Sequence, residues 1–339
     1  MKPLVSILIP AFNAEETIAA AIHSAISQTW SRKEVIVVDD GSSDSTVKIA
    51  QSFGSKIKFV GGPNQGAAAA RNLAYELSGG DYIQWLDADD ILRSDKIERQ
   101  LASVQGSESK RFLLSSSWAP FFHRTRHARF VHNSLCQDLA PIDWLLRKLT
   151  EATHMQTATW LTSRELAEAA GPWDTRLLSD DDGEYFCRVL LASKGTRFTA
   201  DTGVYYRVTP TSRLSFIGRS NSKKDAMLIS LKLHIQYIRS LEESERVRKA
   251  CVQHLQNWYL TFYPERTDII SEMNRVAEEL GGHLEEPQLR WKFAWMKPVF
   301  GWETAKWAQT ALPHVKASLQ RRIDKAIYRV ETGRKGATT

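Results

Sequence analysis

A chain of 339 residues, 42% hydrophobic and 25% charged, has room for one large domain or two ordinary ones and can bury a real core. Its three cysteines, Cys136, Cys187 and Cys251, lie far apart with no C-x-x-C, which argues against a disulfide framework or a zinc site and fits a reducing cytosol. The net charge of +6 is concentrated: from Glu285 onward eleven Lys or Arg face five Asp or Glu, so the first 284 residues are neutral overall.

The first element in chain order is VSILIP (5–10), a short continuous apolar run that reads as a buried strand. It is not a signal peptide, because Pro10 interrupts it and Asn13, Glu15 and Glu16 follow at once. Asn13 and Glu16 have capping-box spacing, ahead of apolar residues at helical spacing from Thr17 to Ser27. EVIVVDD (34–40) is a second buried strand ended by two aspartates, and GSSDSTVKIAQSF (41–53) is a turn into a helix. KIKFV (56–60) is a third strand and Asn64 to Leu77 an alanine-rich helix. DYIQWL (81–86) is a fourth strand, after which Ser94 can cap a helix.

Strands alternating with helices predict an α/β fold, a mostly parallel sheet flanked by helices. Ligands in such sheets bind beyond the carboxyl ends of the strands, where Asp39-Asp40 and Asp87-Ala88-Asp89-Asp90 lie. Further on, RFLLSSSW (111–118), TATWLTS (157–163) and Gly203 to Val208 read as strands, and SDDDGEYFCRVLLAS (179–193) as a loop feeding a helix. Asn221 to Leu280 is helical, with Pro264 as a break. No segment approaches the roughly eighteen apolar residues of a spanning helix.

The common nucleotide fingerprints are absent. No G-x-G-x-x-G follows the first strand, GGPNQGAAAAR lacks the Lys-Ser/Thr of a P-loop, and there is neither H-E-x-x-H nor G-x-S-x-G. The acidic clusters remain. Asp39 and Asp40 are either turn residues or acceptors for a ribose hydroxyl or a base N–H. Asp87, Asp89 and Asp90 are either a helix start or, as an Asp-x-Asp at a strand end, oxygen ligands for a divalent cation. Asp180-Asp181-Asp182-Gly183-Glu184 carries more acids than a cap requires, and mutual repulsion should raise one pKa toward that of a general base. Arg71 starts near the same edge, where it is either a paired helix charge or a diphosphate contact.

Taken in order, VSILIPAFNAEETIAAAIHSAISQTW (5–30), VIVVDDGSSDST (35–46), NQGAAAARNLA (64–74), DYIQWLDADD (81–90) and GPWDTRLLSDDDGEYFCRVLLA (171–192) resemble the family 2 glycosyltransferases of the GT-A fold. The resemblance implies a Rossmann-like fold, a nucleotide-diphosphate sugar donor, Mn²⁺ or Mg²⁺, and inversion at the anomeric carbon. By the same resemblance, Asp40 would hold the nucleobase beside the Pro10-Ala11-Phe12 backbone and Arg71 would approach the diphosphate. Asp87 would contact the ribose or the metal, and Asp89 would be the direct metal ligand. Asp182, or its neighbour Asp181 where the family usually has Glu, would be the base. The family's later R-x-H pattern reads Arg207-Val208-Thr209 here, leaving Arg207, Ser212 or Arg213 as donor-binding candidates. Asp90 has no assigned work and is expected to cap the helix that follows.

The resemblance covers residues 4 to about 210. The expected organisation is therefore a GT-A domain over 1–215, with a nucleotide-sugar half (1–105) and an acceptor half (106–215). A helical extension (216–284) and a basic tail (285–339) would follow. FFHRTRHARFVHN (121–133), with three Arg and three His, is either a solvated loop or a site for an anionic acceptor. Trp118, Trp160 and Trp173 are either sugar-stacking or core residues. The tail interleaves Trp291, Trp295, Trp302 and Trp307 with Lys and Arg. Such a composition suits either an anionic membrane surface, as an enzyme acting on a lipid-linked glycan at the inner face of the plasma membrane would need, or packing on the body or a second subunit. No nucleic-acid motif accompanies the basic charge. A nucleotidyltransferase would carry a Gly- and Arg-rich loop where PAFNAEE stands. A non-catalytic binding protein would not need intact acidic clusters.

Overall fold

A computed structural model describes residues 2–104, 106, 109–209, 217–218 and 220–336. Continuous apolar runs need cover on both faces, and the centre of a parallel sheet provides it. VSILIPA forms β1 (Val5–Ala11), which is almost wholly buried. On one side it pairs in parallel with β2 (Lys33–Asp40), outside which lies β3 (Lys58–Gly62). On the other side it pairs in parallel with β4 (Tyr82–Trp85), which is bordered by the short antiparallel β7 (Thr162–Ser163). A second sheet has the order β5 (Ile91–Leu92), β8 (Thr196–Arg207), β6 (Leu113–Phe121).

The register decides where the acids go. Ala11 pairs with Asp39, Asp40 with Gly62, and Leu8 with Trp85, so β1, β2 and β4 run out at one edge. The aspartates that end β2 and follow β4 therefore share it, as expected for a mostly parallel α/β sheet.

Three helices link these strands: α1 (Ile18–Ile26), α2 (Thr46–Gln51) and α3 (Ala67–Glu76). After them come α4 (Lys96–Ala102), α5 (Pro141–Glu151), α6 (Arg164–Ala170) and α7 (Asp181–Ala192). The C-terminal region is helical: α8 (Asn221–Leu241), α9 (Glu245–Phe262), α10 (Thr267–Glu279), α11 (Trp291–Ala294) and α12 (Met296–Gly336), the last broken at Gly301. Helix α5 packs on α9 and α7 on α8, so the extension walls one side of the second half.

Several local expectations change. Asn13 and Glu16 form no capping box: α1 begins at Ile18 without a side-chain cap. Asn13 instead adopts a positive φ of 46° and accepts from the Ser43 amide at 2.8 Å, bracing the β2–α2 turn. Ser94 does not cap α4, which begins after Asp95; its carbonyl takes the Thr29 amide. TATWLTS is a 3-10 turn and then the two residues of β7, because its polar groups are consumed by local bonds such as Thr159 Oγ1 to the Gln156 carbonyl.

Gly80 sits where α3 returns to β4, and a Cβ there would lie 2.6 Å from the Ser6 amide nitrogen in β1. Backbone inside a sheet cannot yield, so Gly80→Ala is expected to lower stability by about 1–3 kcal/mol in urea denaturation. Gly62→Ala, which meets no atom within 4 Å, is expected to stay near wild type.

Candidate active site

One continuous cavity of about 1420 Å³ opens on the carboxyl edge and runs inward to the walls formed by α5, α8 and α9. Its outer part is lined by Pro10, Ala11, Phe12, Asp40, Arg71, Asp87 and Asp89, and its inner part by Trp144, Lys148, Trp160, Phe186, Met227 and His254. Asp181 and Asp182 line it too. The structure thus brings nearly all the expected site residues to one space.

At the outer edge Phe12 is 51% exposed, an apolar face beside the end of β1. Asp40 is buried, and its two carboxylate oxygens accept from the backbone amides of Gln65 and Gly66 at 2.7 and 2.9 Å. It therefore holds the loop before α3, and each oxygen keeps a second lone pair for a ligand. Asp39 lies off the cavity and caps its own turn through the Ser42 amide at 2.9 Å.

Arg71 is the centre of the site. It is 6% exposed, with Nη1 2.6 Å from Asp181 and Nη2 3.0 Å from Asp87. Its guanidinium lies over Trp173 at 4.4 Å, and the Nε donor has no partner. Against burial, the two carboxylates hold it charged well above its ordinary pKa. Both carboxylate-facing arms are thus already engaged, so Arg71 braces two acids across the cavity before any diphosphate arrives.

The two aspartates at the start of α7 differ. Burial pushes the Asp181 carboxyl up to about 6, with Arg71 opposing and repulsion from Asp182 and Asp87 adding to the rise. The expected rise therefore falls on the acid tied to Arg71. Asp182 is half-buried and accepts from Thr157 Oγ1 and from the Gly183 amide, both at 2.8 Å. Thr157 was not singled out by sequence, because nothing local marks a threonine 25 residues away as a carboxylate partner. Asp180 has a positive φ of 56°, a backbone region that aspartate tolerates better than most residues. Its carboxylate folds over Gly183, where a Cβ would lie 2.0 Å from Oδ1.

In the loop after β4, Asp87 and Asp89 are half-buried while Ala88 and Asp90 are buried. Asp90 is not a helix cap. Its Oδ1 accepts from the Arg207 amide at 2.8 Å, its Oδ2 is buried without a partner, and burial with repulsion from Asp89 and Asp87 raises its pKa well above the usual carboxylate range. Arg207 does not line the cavity: its side chain donates to the carbonyls of Asp89 and Phe122 at 2.8 and 2.7 Å. These bonds pin the Asp89 loop to β8. Thr209 does line the cavity, whereas Ser212 and Arg213 lie outside the described residues.

No group of three or more His, Cys, Asp or Glu that could hold an ion occurs among the described residues. What the edge offers is two carboxylates one residue apart, hard oxygen donors that suit Mg²⁺ or Mn²⁺ when phosphate oxygens and water complete the shell.

The remaining expectations sort by packing. Trp173 is core, stacked on Tyr185 at 4.1 Å, while Trp118 and Trp160 are buried and also line the cavity. Two of the three arginines of 121–133 are used by the tail: Arg124 pairs with Asp324 at 2.6 Å and Arg126 with Glu331. Lys325 pairs with Glu16 at 2.8 Å, and Arg321 of the same helix reaches the cavity. The polar face of α12 therefore lies on the body.

An α/β sheet whose acidic carboxyl edge opens on a cavity closed by a helical region defines a GT-A-like fold, and solved structures agree. S. aureus TarS 1–349 in complex with UDP superposes with a TM-score of 0.59 at 18% identity, over 99% of this chain and 92% of that one. A mannosyltransferase from Pyrobaculum calidifontis in complex with GDP-Man and Mn²⁺ gives 0.53 at 15% identity, over 96% and 88%. Residues 6–115 match the family model Glycosyl transferase family 2, so the chain carries a family 2 glycosyltransferase domain. It is 44% identical over 103 residues to the Escherichia coli UDP-Glc:alpha-D-GlcNAc-diphosphoundecaprenol beta-1,3-glucosyltransferase WfgD. It is 42% identical over 104 residues to the putative teichuronic acid biosynthesis glycosyltransferase TuaG of Bacillus subtilis. Each match spans 30% of this chain and 41% of the relative.

Arg71→Met would leave Asp87 and Asp181 facing one another without a counter-charge. The expected cost is about 3–5 kcal/mol of stability. Adding Asp181→Asn should restore part of it, as a denaturation double-mutant cycle would show.

Proposed function

We propose that this protein is a metal-dependent, inverting glycosyltransferase that moves a sugar from a UDP-sugar to a hydroxyl of a glycan or lipid-linked acceptor. The supporting observation is the single cavity that joins the acidic edge at Asp87 and Asp89 to the half-buried carboxylate of Asp182. UDP in a TarS structure and the lipid-diphosphate acceptor in the name of WfgD point the same way. In this reading residues 1–215 do the chemistry, 216–284 wall the acceptor side and 285–339 attach the enzyme.

The donor's base lies between Phe12 and Asp40. Asp89, with Asp87, would hold Mn²⁺ or Mg²⁺, which would supply positive charge against the donor's diphosphate. Arg71 keeps Asp87 and Asp181 in register and supplies positive charge at the middle of the cavity. Asp182, oriented by Thr157, takes the proton of the acceptor hydroxyl. The acceptor oxygen bonds to the anomeric carbon from the face opposite the diphosphate, whose bond breaks with its electron pair leaving on the nucleotide. One displacement inverts the configuration.

Incubation with a panel of nucleotide-sugars and Mn²⁺ is expected to give slow hydrolysis of one donor, lost in EDTA. Asp182→Asn should lose transfer and still bind that donor in calorimetry. Full activity in EDTA would sink the metal requirement, and a full-rate Asp182→Asn would move the base to Asp181. Donor binding without turnover for any donor would leave a binding protein.

The tail fits attachment to an anionic bilayer at the inner face of the plasma membrane. While the polar face of α12 is held by the body, Leu312, Val315, Leu319, Ile323, Ile327 and Val330 form an exposed stripe at helical spacing. Exposed Lys316 and Arg322 flank it. No helix among the described residues is long and apolar enough to cross a membrane. Co-sedimentation with phosphatidylserine vesicles is expected, weakening with salt and lost in Leu319→Glu/Ile323→Glu. Equal sedimentation of that variant would refute the attachment.

A further inference from the structure

Lys148 is a cation with no hydrogen bond or ion pair among the described residues. It is 9% exposed and projects from α5 into the inner part of the cavity. Elsewhere this chain satisfies the lysines it buries: Lys96 donates to Gln84 and Gln100 at 2.6 Å each, and Lys224 faces Glu265 at 4.0 Å. An ammonium held on a cavity wall without a hydrogen bond or ion pair keeps its donors for a ligand.

The carboxylates nearby do not complete it. Asp180 is bonded to Ser230 at 2.6 Å and Asp182 to Thr157, and neither comes within ion-pair distance of Lys148. Their field nevertheless keeps the lysine protonated, since its pKa is raised although burial pulls it down. Trp144, one turn earlier on the same helix, and Trp160 are almost wholly buried and form part of the wall of the same cavity, with ring centroids 5.6 Å apart at 58°. A positive charge on such a wall suits a ligand that carries a negative group.

We propose that the inner compartment is the acceptor subsite and that it selects an anionic acceptor, with Lys148 binding its phosphate or carboxylate. This rests on the glycosyltransferase reading for the word acceptor; the anion site itself stands on Lys148. Lys148 and Asp182 line the same cavity, so an acceptor held by the lysine shares that space with the carboxylate.

The test titrates the full chain with glucose 1-phosphate, glucuronate and glucose in saturation-transfer NMR, with and without saturating UDP. At least one anion is expected to bind tenfold or more tightly than glucose, and whichever is preferred distinguishes phosphate from carboxylate. UDP should not displace it, whereas an anion sitting at the donor edge would be displaced. Lys148→Met should abolish the preference, and Lys148→Arg should retain most of it. Equal affinity for glucose, displacement by UDP, or an undiminished preference in Lys148→Met would each overturn the proposal. If Lys148→Met does not fold, the wild-type comparisons with glucose and UDP still decide. Donor hydrolysis needs no acceptor, so its absence beside a retained anion preference would overturn the transferase reading instead.

Discussion

Everything at the site hangs on one buried guanidinium between two carboxylates. Arg71 comes from α3, Asp87 from the loop after β4, and Asp181, 110 residues after Arg71, from the first turn of α7. Without the arginine, Asp87 and Asp181 would face one another as like charges in low dielectric. With it, the nucleotide half and the second half are tied at the point where the cavity passes from one to the other. Trp173 under the guanidinium limits where that charge can go.

Around this tie the polar groups of the edge are mostly committed. Asp40 holds the loop before α3, Arg207 and Asp90 hold the Asp89 loop against β8, and Asn13 braces the β2–α2 turn. These bonds make a rigid rim, which suits a site that must place a ligand and an attacking group with little freedom. The exceptions are few. Asp182 keeps an exposed side, and Lys148 has no bond to any described residue. The tail divides its labour by face, with Asp324, Lys325 and Glu331 turned to the body and an aliphatic stripe turned outward.

Much of this is legible in the sequence. Near-continuous apolar runs closed by aspartate and glycine announce parallel strands and the edge where they stop, since both signals are local. What could not be read was which acids do which job. Asp87, Asp89 and Asp90 look alike in a row, yet Asp90 faces inward to the β8 backbone while its neighbours face the cavity. Arg71 and Arg207 likewise look alike, and only packing spends one on carboxylates and the other on carbonyls. Asn13 with Glu16 has the spacing of a cap, and the β2–α2 turn outcompeted it for the Asn13 oxygen.

The sequence by itself determined the α/β class, the edge on which the acids gather, and a basic, tryptophan-rich end distinct from the body. Those properties follow from periodicity and composition, which act within a few residues. The tertiary structure alone decided that Asp181 is tied while Asp182 faces the cavity, that Arg124 and Arg126 bind the tail, and that Lys148 lines the inner cavity. Those outcomes depend on distances between residues tens to hundreds of positions apart, and such distances are set by how helices pack on the sheet rather than by local preference.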